Sequence, residues 1–144
     1  MFRLFCIAVL VLLSVIDIVS LTVPDAAVVM LVCAALIWVP ADSLINAVPA
    51  AAAVLGVCLL TALLCRALKR PAPFGMGDAK LLSALSLGLC DTELMQLIAA
   101  AGVLAGIYAA FLLAFKKAGP KSQIPFVPFI AAGYALAVLP GVAL

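Results

Sequence analysis

Charge is almost absent from the long runs of this chain, and that fixes what it can fold into. From Phe2 to Ser20 the only charged side chains are Arg3 and Asp17; from Leu44 to Leu68 only Arg66; from Leu94 to Phe115 none. A helix needs about 20 apolar residues to cross a hydrocarbon core of ~30 Å. Hydrophobic residues make up 69% and charged residues 10% of the chain, and the mean hydropathy is +1.45. Soluble domains lie near half apolar and a quarter charged, so this chain is expected in a membrane. The fold expected is all-α, a single transmembrane domain over residues 1–144 with six transmembrane helices. They are Phe2–Ser20, Ala26–Val39, Leu44–Leu68, Ala79–Leu89, Leu94–Phe115 and Pro125–Val142. Pro24, Pro40, Lys69 to Pro73, Asp91 to Glu93 and Lys116 to Lys121 punctuate them. Met1 to Leu13 has the arginine and apolar run of a secretory leader. Asp17 stands where a small-residue cleavage site belongs, so a retained first helix is the better reading. Gly102 and Gly106 form a G-x-x-x-G pair suited to close helix packing.

The cations set the orientation. Arg66, Lys69, Arg70 and Lys80 flank the third connection and Lys116, Lys117 and Lys121 lie in the fifth, seven of the eight Lys and Arg. Basic connections stay in the cytoplasm, so the first, third and fifth connections are expected there and both termini outside. Asp17, Asp25 and Asp78 then fall toward the cytoplasmic side. The fourth segment, eleven residues, spans only about 16 Å. Either its helix runs on through Asp91 and Glu93, or the Asp78 connection dips below the membrane surface into a water-filled recess with Asp78 at its floor.

The chain has no histidine, which excludes Ser-His-Asp and Cys-His nucleophile pairs. Its cysteines, Cys6, Cys33, Cys58, Cys65 and Cys90, are scattered without a C-x-x-C, so no metal site or cofactor is expected. No basic patch with interleaved aromatics points to nucleic acid. What remains is carboxylates in apolar surroundings, which are costly to keep. Two such groups close together can share a proton. The ionised one activates water while the protonated one polarises a carbonyl and then protonates the leaving amine. Asp17 and Asp78 are the candidates. Gly75 and Gly77 permit close backbone approach and unusual dihedrals, so Gly75-Met76-Gly77 can pair with an extended substrate beside Asp78. Bland alternatives stand beside these. Asp78 can cap the fourth helix, and Asp17 can be an interfacial residue at a helix end. Asp25 is expected to cap the second helix, and Asp42, Asp91 and Glu93 to be solvated loop acids. Lys80 either snorkels to the interface, the favoured reading, or tunes Asp78.

In these motifs the chain resembles the type IV prepilin peptidases, GxGD-type membrane aspartic proteases. The likeness is closest to the short forms serving Flp/Tad-type pili. Gly75-Met76-Gly77-Asp78-Ala79-Lys80-Leu81 matches one hallmark in full. Asp17 and Pro24, in Asp17-Ile18-Val19-Ser20-Leu21-Thr22-Val23-Pro24-Asp25, match a second. Ile124-Pro125-Phe126-Val127-Pro128 is a weaker third, with valine where the family has glycine. Asp25 replaces the family's asparagine, and the first connection lacks its arginines. The resemblance implies that Asp17 and Asp78 are catalytic, with Gly75, Met76, Gly77 and Lys80 at the substrate. The substrate would be a prepilin or pseudopilin, cut at the cytoplasmic face of a bacterial inner membrane. The cysteine-bearing cytoplasmic domain linked to N-methylation in longer members is missing, so methyltransferase activity is not expected. The rival reading is a non-enzymatic membrane protein: a degenerate relative, a small transporter or a pilus or secretion assembly factor. A presenilin-like protease would share the chemistry and differ only in substrate.

Overall fold

The structure, a computed structural model, describes residues 1–68, 75–115 and 124–139. Among them the chain is all-helical, with six helices: α1 (Phe2–Ser20), α2 (Asp25–Trp38), α3 (Ala41–Ala67), α4 (Met76–Ser86), α5 (Asp91–Ala114) and α6 (Val127–Val138). Lys69, Arg70, Lys116, Lys117 and Lys121, which carry most of the orientation signal, lie outside the described residues, as does the end of the sixth segment. Helices α1, α3 and α5 are long and apolar enough to cross a membrane. Only 6% of the most apolar stretch of α3 and 11% of that of α5 is buried. The apolar residues of these helices therefore face outward, the arrangement lipid demands and water penalises.

The first helix has the expected limits. Helices α3, α4 and α5 each start earlier than hydropathy suggests, because their first turns hold the polar residues. Asp42 is in the first turn of α3, Asp78 in that of α4, and Asp91 and Glu93 open α5. These acids are thus helix-start residues rather than loop residues, placed where the helix dipole favours negative charge. Helix α4 stops at Ser86 and does not run on through Asp91 and Glu93.

The chain divides into two compact units. The first comprises Met1–Cys6 and Val23–Asp91. Its core is built on α4, whose Leu81 and Leu85 are fully buried, packed against α2 and α3. Ser83 Oγ donates to the Ala51 carbonyl of α3 at 3.0 Å, two residues beyond Pro49, which interrupts the hydrogen bonding of that helix. Phe5 meets Trp38 edge-on with ring centroids 5.1 Å apart. Met1 to Arg3, Trp38 to Pro40 and Leu87 to Asp91 line one cleft of about 580 Å³. The helical start of the chain and the α2–α3 and α4–α5 connections therefore share one end of this unit.

The second unit comprises Ile7–Thr22 and Thr92–Leu144. Helices α5 and α6 approach closely at Gly133: a β-carbon there would stand 2.7 Å from the Leu97 carbonyl oxygen and 3.1 Å from the Ala101 nitrogen. Tyr108 and Phe129 pack rings 5.4 Å apart further along the same pair. Among the described residues nothing stands within 4 Å of a β-carbon at Gly102 or Gly106, the pair suited to packing in sequence. The packing glycine of α5 and α6 is Gly133.

Candidate active site

In the first unit, Gly75, Met76, Gly77, Asp78 and Lys80 come together at the start of α4. Gly75 is the N-cap residue, with φ −70° and ψ 145°, and makes no side-chain capping bond. Asp78 is the third residue of the helix, not its cap. Neither glycine has positive φ, so unusual dihedrals do not explain them; space does. A β-carbon on Gly75 would stand 3.2 Å from Asp78 Oδ2, and one on Gly77 2.9 Å from Val23 Cβ. Gly77 lets the first turn of α4 close onto the segment before α2. Gly75 leaves the Asp78 carboxylate room to fold back over the helix start. Met76 is exposed.

Lys80 binds Asp25, Nζ to Oδ1, at 2.7 Å. Asp25 is the first residue of α2, whose cap position is Pro24, and it makes no capping bond. Its carboxylate serves the ion pair instead, which ties the starts of α2 and α4 together. Both partners are well exposed, so the pair contributes little to stability. Lys80 also lines a cleft of about 350 Å³ with Val28, Val48, Ala51 and Ser83. Asp78 is not in its walls, so the recess expected beneath Asp78 is not this cleft.

In the second unit, Asp17 is 5% exposed, a carboxylate deep in an apolar helix. Its Oδ2 accepts a hydrogen bond from the Val127 backbone N–H at 3.0 Å. Val127 is the first residue of α6 and is fully buried. Asp17 therefore sits at the N-terminal end of α6, where the exposed N–H groups and the helix dipole favour an anion. Its own carbonyl accepts from Leu21 N–H at 2.8 Å, and Leu21 closes α1 in the left-handed region at φ 52°. Asp17 thus lies in the last turn of α1, at a helix end, and is buried there. Val127 was visible in sequence only as a deviation within Ile124–Pro128; no sequence signal connects it to Asp17.

A helical membrane protein that buries one carboxylate in a spanning helix and folds another over a glycine-flanked helix start belongs to a narrow class, since ionisable groups in such positions are usually functional. Residues 4–110 match the type IV leader peptidase family, and the chain belongs to that family. No curated protein and no solved structure matches it. The matched stretch includes both Asp17 and Asp78 and ends before α6.

Proposed function

We propose that this protein is a membrane aspartic endopeptidase that removes the leader peptide of a prepilin or pseudopilin. The observation that carries the reading is the burial of Asp17 within an apolar helix, in a chain of the leader peptidase family. Asp17 and Asp78 are the proposed catalytic pair of a single transmembrane peptidase domain. One carboxylate takes a proton from water as the water oxygen attacks the scissile carbonyl. The other, protonated, hydrogen-bonds the carbonyl oxygen, and collapse of the tetrahedral intermediate then passes a proton to the leaving amine. Gly75, Met76 and Gly77 are proposed to hold the extended leader beside Asp78, with Lys80 next to them on the pair with Asp25.

Six transmembrane segments are proposed in a bacterial inner membrane, with α1, α3 and α5 crossing it whole and the shorter α2, α4 and α6 completed by the residues that flank them, both termini outside and the Asp78 end in the cytoplasm. The Lys80–Asp25 pair supports this by joining the starts of α2 and α4 at one end of their unit, with Arg66 in the last turn of α3.

The test is co-expression with prepilins of the same genome. The wild type is expected to shorten one of them by its leader, and Asp17→Asn and Asp78→Asn to abolish cleavage. Processing that survives either change would remove the paired-carboxylate mechanism. One observation favours the non-enzymatic reading: the Asp17 carboxylate has a structural task at α6. A wild type that cleaves no prepilin would support it.

A further inference from the structure

The first turn of α6 has an unusual donor balance. A helix start ordinarily leaves several N–H groups without a backbone acceptor. Here Pro128 has no N–H, and Phe129 and Ile130 both donate to the Phe126 carbonyl, at 3.0 and 3.2 Å. Among residues 127 to 130 that leaves the Val127 N–H, and its hydrogen goes to Asp17 Oδ2. Val127 is fully buried, so water offers no alternative. Asp17 is held from its own helix as well, by the bond from Leu21 N–H to its carbonyl. Leu21, the donor of that bond, has its own backbone in a region that side chains other than glycine disfavour, strain of the kind that collects at functional sites.

We infer that the α6 turn is a positioning device for Asp17. The Val127 N–H fixes Oδ2, and Pro128 withholds the next donor, so that Oδ1 is the oxygen left to exchange protons during peptide hydrolysis. This inference rests on the peptidase reading. The orientation follows from donor and acceptor matching. A proton on Oδ2 would point at an N–H, donor against donor, so a protonated Asp17 carries its hydrogen on Oδ1. When the carboxylate instead takes a proton from the attacking water, Oδ1 has the unoccupied lone pairs. A helix start with N–H groups at both its first and second positions can grip both oxygens of an anion. The proline at position 128 removes the second grip.

The test uses the full chain in lipid nanodiscs, acting on a prepilin that the wild type cleaves. Val127 is replaced by its α-hydroxy acid, which turns the N–H into an ester oxygen and keeps the side chain. The expected result is a kcat lower by ~10- to 100-fold, the scale of a misplaced catalytic group, with KM unchanged. Pro128→Ala restores the withheld donor. It is expected to lower kcat without lowering the melting temperature, a combination that general damage to the helix would not produce, and it serves where the ester fails to fold. An ester variant with wild-type kcat, or a loss confined to KM, would overturn the inference while leaving the peptidase reading intact. A wild type that cleaves nothing removes both.

Discussion

Asp17 carries a structural bond and a proposed catalytic role, and substitutions separate the two. Removing its carboxylate leaves the Val127 N–H buried without an acceptor, which costs about 1–3 kcal/mol. Asp17→Ala is therefore expected to lower the unfolding midpoint in detergent clearly. Asp17→Asn keeps an amide oxygen for the same bond and is expected to hold the midpoint near wild type while losing cleavage. Equal destabilisation by the two would show that the Val127 bond does not carry the effect. Gly75 offers a matching probe of Asp78. Its backbone conformation suits any residue, so Gly75→Ala adds only a β-carbon 3.2 Å from Oδ2. The expected outcome is a stable protein with cleavage reduced several-fold, by about 1 kcal/mol in the barrier; an unchanged rate would free the Asp78 carboxylate from that glycine. The motif around Asp78 was legible in sequence because its residues are contiguous. The bond from Val127 to Asp17 was not, because it spans 110 residues and its donor is a backbone group that any residue but proline supplies.

At the level of elements, hydropathy located all the helices yet began three of them three residues late, at Leu44, Ala79 and Leu94 rather than Ala41, Met76 and Asp91. The shortfall is one helical turn, and it has one cause. The first turn of a helix exposes N–H groups and a positive dipole end, which select acids and small polar residues, so apolarity starts only in the second turn. The G-x-x-x-G pair of α5 suits close packing in sequence, yet it does not mark the contact with α6. A glycine pair spaced for packing does not reveal whether its face meets a helix of the same chain, and among the described residues Gly102 and Gly106 meet none within 4 Å. Gly133 meets α5, and its substitution is informative. Gly133→Ala places a methyl group 2.7 Å from the Leu97 carbonyl oxygen, an overpacking that costs about 1–3 kcal/mol. Helix α6 must then move away from α5, carrying Val127. The expected outcome is a lower unfolding midpoint together with impaired cleavage; a midpoint equal to wild type would show that the pair tolerates the shift.

For the molecule as a whole, helix length and acid position run together. Helices α2, α4 and α6 have 14, 11 and 12 residues, about 21, 16 and 18 Å, short of a ~30 Å core. Each begins at a carboxylate: Asp25 in the first turn of α2, Asp78 in that of α4, and Asp17 on the Val127 N–H of α6. A short helix that starts below the membrane surface leaves its first N–H groups where lipid cannot satisfy them, and at α6 the Asp17 carboxylate answers that need. The proposed orientation puts the starts of α2 and α4 on the cytoplasmic side, which impermeant thiol reagents can test. In a background freed of native cysteines, Ser43→Cys marks the end of the first unit shared by the chain start and the α2–α3 connection, and Leu68→Cys marks the close of α3. Reagent added outside intact cells is expected to label Ser43→Cys and spare Leu68→Cys, and inverted membrane vesicles are expected to reverse the pattern. The opposite labelling would put the starts of α2 and α4 outside and leave Asp78 on the wrong face to meet a cytoplasmic leader, whatever the cations of the third and fifth connections imply.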